Sequence, residues 1–234
     1  MTRLARLPQA VIFDMDGLML DTERLAARAW DEAAAAEGTT FDAALALRMI
    51  GRNFADCSAM MHAAYPSGYP VDAVLGRWHA TYDAIVERDG LALKTGVVEL
   101  LDWLDGRAIA RGVATSTRRT RAEAKLTRTA LLPRFATLVG GDEVARGKPA
   151  PDIYLEAARR LGAPPAACLV LEDSEPGVRG ALAAGMVPIM VPDLLPPAPD
   201  LLRLGVAVHA TLHDVRALLA KVGSETISVG VNRL

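Results

Sequence analysis

Five short apolar runs, Ala10 to Phe13, Ile109 to Ala114, Ala136 to Val139, Cys168 to Leu171 and Val187 to Val191, constrain the fold more than any other feature of this chain. Each has the length of a strand buried on both faces. Between the later runs lie stretches of helical period: Val97, Leu100, Leu101 and Leu104, then Ile153, Leu155, Ala158 and Leu161. Strand alternating with helix builds a parallel sheet covered on both sides, so the expected class is α/β with a three-layer core. The alternation fails between residues 18 and 91, where four helix-like segments, Thr22 to Glu37, Asp42 to Ile50, Ala55 to Ala64 and Val71 to Asp89, follow one another with no strand between them. That stretch reads as a helical insertion after the first strand, punctuated by turn signals at Gly38, Pro66-Ser67-Gly68 and Pro70. The expected division is a discontinuous core of residues 1–17 and 92–222, a helical cap of 18–91, and a tail of 223–234 that reads as a weakly ordered terminus or a late edge strand.

Composition narrows the function classes. A formal net charge of -2 offers no positive field for a polyanion, which argues against nucleic acid as a partner. The two cysteines, Cys57 and Cys168, lie outside any CxxC or Cys/His spacing, so neither a zinc site nor a disulfide framework is indicated. No apolar stretch approaches the length of a membrane span or a signal core. A cytoplasmic protein that does not engage a membrane is expected.

In open α/β sheets ligands bind beyond the carboxyl ends of the strands. Those ends carry Asp14 and Asp16, then Thr115-Ser116-Thr117, then Gly147-Lys148-Pro149, then Glu172-Asp173-Ser174. Residues i and i+2 of an extended segment face the same side, so the carboxylates of Asp14 and Asp16 are expected to converge. Two carboxylates that close repel unless a cation sits there or one is protonated. With Asp173 and Glu172 they make an oxygen-rich set of the kind that suits Mg²⁺. Lys148 and the Thr115 hydroxyl supply the charge and the donor that a phosphoryl group requires. Taken singly, a DxD is more often a cap or a turn, and a loop lysine is more often solvated. Four such features in order on four strand ends carry the reading.

Two helix starts follow these ends. Asp152 is placed to cap a helix from Ile153 to about Leu161 with Gly162 as its stop, and Pro176 suits the first turn of a helix ending before Gly185.

The pattern FDMDG, an apolar strand ending ATST, then GKPAPD and VLEDSEPGV resembles the haloacid dehalogenase superfamily, in its phosphatase and sugar-phosphate mutase branch with a small helical cap. The likeness spans Val11 to about Pro192. It implies a Rossmann-like core with an inserted helical cap, and Mg²⁺-dependent hydrolysis of a small phosphate monoester, of the sugar phosphate or phosphoglycolate type. It implies Asp14 as the nucleophile that forms an aspartyl-phosphate, and Asp16 as general acid and base. It further implies that Asp14, the backbone carbonyl at Asp16 and Asp173 hold the metal, with Glu172 joining directly or through water. Thr115, Ser116 and Lys148 match groups that hold the transferring phosphate. Dehalogenases of this type need no proton for the leaving group and typically lack the residue matching Asp16, so its presence favours phosphoryl chemistry.

Residues 18–91 fall where the family inserts its lid, and Gly51-Arg52-Asn53 resembles the cap loop that faces the site, which makes Arg52 and Asn53 the candidates for contact with the rest of the substrate. A phosphosugar mutase of the beta-phosphoglucomutase type is the alternative. It holds a second phosphate with a histidine and an arginine at places occupied here by Ala26 and Phe54. A relative that binds a phosphorylated ligand without catalysis is the alternative of another class, and such proteins usually lose the nucleophile or the acid. Arg118, Arg119 and Arg121, in a helix continuing through Lys125 and Arg128, read as a solvated basic face or as potential beside the substrate. The four histidines, His62, His79, His209 and His213, show no ligand spacing and read as surface or cap packing. The expected partner is a small phosphorylated metabolite, and the expected assembly a monomer or small homo-oligomer.

Overall fold

The computed structural model describes residues 6–231, so the extremities of the expected core and tail, 1–5 and 232–234, lie outside the described residues. The first apolar run forms β1 (Ala10–Phe13), and the others form β2 (Ala110–Ala114), β3 (Thr137–Val139), β4 (Cys168–Glu172) and β5 (Val187–Met190). A sixth strand, β6 (Ala207–Val208), completes an all-parallel sheet of order β3-β2-β1-β4-β5-β6. β6 has only two residues at the sheet edge, too few to show a period in the sequence.

Alternation along β1 feeds two apolar layers. Val11 and Phe13 point with Leu169, Leu171 and Val113 into one layer, covered by α5 (Val97–Asp105), α6 (Arg119–Arg128) and α10 (Leu212–Val231). Ala10 and Ile12 point with Cys168 and Val170 into the other, covered by α7 (Asp152–Leu161) and α8 (Glu175–Ala183). The expected face of α5 is buried throughout. That of α7 is rotated: Ile153, Tyr154, Ala157 and Ala158 are buried, whereas Leu155 is 41% exposed. Asp152 is not the cap of α7 but sits in its first turn, where Arg146 holds its carboxylate and Pro151 precedes it. Gly162 ends the helix in the left-handed conformation, φ 66°, as expected.

The segment between β1 and β2 is helical: α1 (Glu23–Ala36), α2 (Ala43–Met49), α3 (Phe54–Ala64) and α4 (Val71–Asp89), packed around Trp30, Met61 and Val74. A short helix, α9 (Pro199–Arg203), lies between β5 and β6. The tail is a correction. As far as Val231 it is neither a loose end nor an edge strand but the continuation of α10. The stripe Leu212, Val215, Leu219 and Val222 carries the helix along the core, and the Ser224 hydroxyl donates back to the carbonyls of Ala220 and Lys221. Among the described residues no helix is long and apolar enough to cross a membrane.

The two layers predict unequal responses to truncation. Leu171→Ala, fully buried in β4, should lower unfolding free energy by about 2–5 kcal/mol in urea titration. Leu155→Ala should change it by no more than about 0.5 kcal/mol.

Candidate active site

β1 lies between β2 and β4, so the strand order reverses direction there, and a crevice opens at the carboxyl ends. Asp14 leaves β1 with its N–H still donating to the Leu171 carbonyl at 2.9 Å, which pins it beside Glu172 at the end of β4. Asp14, Glu172 and Asp173 are all buried, with carboxylate oxygens within 4.8 Å of one another. A buried ammonium answers them: Lys148 Nζ donates to Asp14 Oδ1 at 2.5 Å and to Glu172 Oε1 at 2.6 Å.

Glu172 is further saturated by the Tyr154 hydroxyl at 2.5 Å and by the N–H and hydroxyl of Ser174 at 3.2 and 2.9 Å. The close packing requires glycine nearby, since a Cβ at Gly177 would run into the Glu172 carboxylate and one at Gly17, φ +81°, into that of Asp173. Tyr154 carries the one contact in this group that the sequence does not announce. Its only signal is its place two residues past Asp152 on α7.

Electrostatics separate the acids. Burial pushes Asp14 up to about 7 against the pull of Lys148, and Glu172 adds to the rise. Burial, then Glu172 and Asp14, raise Asp173 well above the usual carboxylate range. Burial alone would lower Lys148, but Asp14 and Glu172 hold it well above its ordinary value.

Asp16 does not join this group, contrary to the expectation that its carboxylate converges with that of Asp14. β1 ends at Phe13, and the chain turns at once, Gly17 N–H donating to the Leu20 carbonyl, so the alternation of an extended strand no longer applies. The Asp16 carboxylate instead accepts from Thr22 Oγ1, Thr117 Oγ1 and Lys125 Nζ, each at 2.7 Å. Burial works to raise it, but Lys125 and the three hydrogen bonds prevail and hold it below its ordinary value. Lys125, expected on a basic helix face, is a partly buried partner of Asp16, with its ammonium 4.9 Å from the centre of the Tyr82 ring.

The Thr115 hydroxyl is buried and accepts the Thr117 N–H at 3.1 Å, which leaves its own proton for another acceptor. Ser116 is differently engaged, its hydroxyl donating to the Gly51 carbonyl at 2.9 Å and so tying the loop after β2 to the helical insertion. Asn53 caps α3, its carbonyl accepting from the Asp56 N–H and its amide donating to the Asp56 carboxylate. Arg52 lines the cavity described next, with its Nε on the Arg48 carbonyl. The other basic residues of α6 reach the insertion or their own loops: Arg121 pairs with Asp83, Arg128 with Glu87 at 2.7 Å, and Arg119 with Glu123 and Glu143. Arg118 lines the cavity and makes none of these pairs.

A cavity of about 560 Å³ lies over Asp14, Asp16 and Thr115, roofed by α1 and by the segment from Met49 to Ser58. The carboxylates of Asp14 and Asp16 and the buried Thr115 hydroxyl thus face one space at the sheet's switch point, the place where this architecture binds ligands.

Residues 8–185 match the family model described as haloacid dehalogenase-like hydrolase. The chain is a haloacid dehalogenase-like hydrolase. Within this hydrolase family it is similar to the protein CbbY of Rhodobacter capsulatus, 36% identical over 196 residues that cover 79% of this chain and 85% of the relative. It is similar to a phosphorylated carbohydrates phosphatase of Thermotoga maritima, 33% identical over 178 residues, 76% of this chain and 82% of that one. Among solved structures it resembles CbbY from Rhodobacter sphaeroides in complex with phosphate, with a TM-score of 0.73 and 26% identity over 88% of this chain and 95% of the other.

Glu23 is a member of the site that shows in the sequence only as a first-turn acid. It lines the cavity, and burial followed by the negative charge of Asp16 pushes its carboxyl up to about 8. An unfolded chain releases that proton near about pH 4.3, so native stability drains away as pH climbs from about 4.3 to 8. Glu23→Gln removes this drain. Relative to the variant, the wild type should therefore lose melting temperature between about pH 5 and pH 8, read by parallel thermal scans.

Proposed function

We propose that this hydrolase is a Mg²⁺-dependent phosphatase acting on a small phosphate monoester through an aspartyl-phosphate on Asp14, with Asp16 moving protons. The observation that carries the reading is the separation of the two acids: Asp14 sits among buried carboxylates beside Lys148, while Asp16, two residues on, is held apart by Lys125 and two threonines under the same cavity. The phosphatase name of the Thermotoga maritima relative supports the same class.

The residues present fit a divalent cation. Three buried acids stand against one ammonium, and burial holds Asp14 and Asp173 above their usual range, which is the signature of carboxylates short of positive charge. Asp14 and Asp173 would hold Mg²⁺, joined by the backbone carbonyl of Asp16, with Glu172 held back by Lys148, Tyr154 and Ser174. When bound, Mg²⁺ neutralises charge on the transferring phosphoryl group.

The chain's own residues supply the rest. Lys148 holds one oxygen of Asp14 and lowers the repulsion that an arriving phosphate dianion would meet. The Thr115 hydroxyl, its oxygen already serving Thr117, donates its proton to a phosphoryl oxygen. Asp14 attacks phosphorus, and the alkoxide leaves with a proton from Asp16. The arriving dianion raises the proton affinity of Asp16 for this first step. Lys125, Thr117 and Thr22 then favour the ionised form that takes a proton from the water cleaving the intermediate. Atoms balance as ester plus water giving alcohol plus phosphate.

Hydrolysis rather than transfer between sugar positions is supported by Ala26 and Phe54. Both line the cavity at the places where the mutase branch carries a histidine and an arginine, and neither side chain can hold a second phosphate. Residues 18–91 serve in this reading as the lid domain of a core formed by 1–17 and 92–222, and the substrate is a small phosphorylated metabolite.

Steady-state release of phosphate tests the assignment. Asp14→Asn should reduce kcat by about a thousandfold or more, and Asp16→Asn by about 10²–10⁴-fold. EDTA should abolish turnover and added Mg²⁺ restore it. Full turnover by Asp14→Asn ends the nucleophile assignment, and turnover retained in EDTA ends the metal assignment.

A further inference from the structure

Three cations of α6 face the helical insertion. Arg121, Lys125 and Arg128 recur at helical spacing, so they share one side of α6, and each meets α4. The two arginines meet carboxylates there, Arg121 that of Asp83 and Arg128 that of Glu87. Lys125 lies between them in the helix and meets a ring, its Nζ standing 4.9 Å from the centre of Tyr82. It is also the least exposed of the three, with 13% of its side chain in solvent against 28% for Arg121 and 43% for Arg128. The same Nζ donates to Asp16 Oδ1 at 2.7 Å.

We infer that Tyr82 is a positioning residue for the reaction: its ring confines the Lys125 ammonium, and the ammonium so confined fixes the orientation in which Asp16 presents its carboxyl to the leaving oxygen. This deepens the phosphatase reading and rests on it.

Three observations carry the relay. First, packing holds the ring in place. Tyr82 is buried, packs with Ala29, Ile85 and Val86, and stacks on Trp78 at 5.2 Å, whose indole N–H donates to the Ala26 carbonyl at 3.3 Å. Second, the Tyr82 hydroxyl is buried without a hydrogen-bond partner, so what the residue offers the site is its ring. A ring face attracts a cation without taking its N–H groups, which stay free for Asp16. A carboxylate in that place, of the kind Asp83 and Glu87 offer the arginines, would compete for them. Third, Asp16 depends on three donors of unlike stiffness: Oδ1 accepts from Thr22 and Lys125, and Oδ2 from Thr117. The threonine hydroxyls sit on short stems set by the backbone. The lysine ammonium rides on a flexible four-carbon stem, and a single hydrogen bond leaves such a head free to swing. Of the three donors it is the one that needs a second hold, and Tyr82 supplies it.

The experiment compares kcat/KM with Mg²⁺ for fructose 1-phosphate, whose leaving alkoxide needs a proton, and for 4-nitrophenyl phosphate, whose leaving phenoxide does not. Tyr82→Leu keeps an apolar side chain but removes the ring. It should lower the ratio of the first kcat/KM to the second by about tenfold, the size expected of a cation–π contact shielded from water. Tyr82→Phe retains the ring face and should keep the ratio within about twofold of wild type. Lys125→Met should lower the ratio at least as far as Tyr82→Leu does, and adding Tyr82→Leu to it should lower the ratio no further. A general loosening of the insertion would slow both esters alike. An unchanged ratio in Tyr82→Leu, equal losses in the Leu and Phe variants, or additive losses over Lys125→Met therefore overturns the inference. A second measurement needs no turnover. In urea titration Tyr82→Leu and Asp16→Asn should be coupled by about threefold or more in the unfolding constant, and the coupling should vanish in the Lys125→Met background. Additive effects of the two variants overturn the relay. Absence of turnover on both esters in the wild type, with that coupling present, instead overturns the phosphatase reading and leaves the relay standing.

Discussion

One buried ammonium governs the site. Lys148 is almost wholly removed from solvent and lies between Asp14 and Glu172. Stranding either acid without it would leave an uncompensated charge in a dry place, a fault that costs about 3–5 kcal/mol where it has been measured. Much of the neighbourhood follows from satisfying that trio. Tyr154 and Ser174 complete the bonding of Glu172, and Gly177, with no Cβ, leaves room for the carboxylate. Asp173 then stands as a third acid beside them. Three carboxylates and one ammonium leave a formal excess of two negative charges, the amount that one divalent cation neutralises.

A second layer of charge joins the core to the helical insertion. α6 begins just after the Thr115 loop, and its cations reach α4: Arg121 to Asp83, Arg128 to Glu87, and Lys125 to the ring of Tyr82. The arginine pairs are partly exposed, and such pairs contribute about 0–1 kcal/mol each. They set where the insertion rests without locking it. Lys125 differs because it is mostly buried and also holds Asp16. The position of the insertion and the surroundings of Asp16 are therefore linked through one side chain.

The parallel sheet is legible in the sequence because its strands are buried on both faces and leave unbroken apolar runs. The polar strand ends are legible because Asp14, Thr115 and Glu172 interrupt those runs where aliphatic residues would otherwise stand, whereas Lys148 shows only as a lysine in the loop after β3. What escapes is whatever depends on direction rather than on residue type. β6 is too short to show a period. Leu155 fits a helical stripe in the sequence, but α7 turns Tyr154 inward because the Glu172 carboxylate needs a donor there. Gly223 and the β-branched residues after it suggest a strand or a loose end, yet a helix already packed through Leu212, Val215 and Leu219 continues past them.

The two aspartates of the opening motif show most directly why residue type alone does not assign a role. They are separated by one residue and have the same ordinary acidity. The end of β1 leaves one beside Glu172 and Asp173, and the turn that follows brings the other to Lys125, Thr22 and Thr117. Burial among acids raises Asp14 to about 7, while a cation and two hydroxyls hold Asp16 low. Carboxyls whose environments drive their acidities apart are how one fold assigns different tasks to identical groups. The carboxyl of Asp14 needs neighbouring positive charge to be ionised, and Lys148 supplies part of it. The carboxylate of Asp16 is held by Lys125, which also lies over the Tyr82 ring of the insertion, so the charge beside Asp16 is set from both parts of the chain.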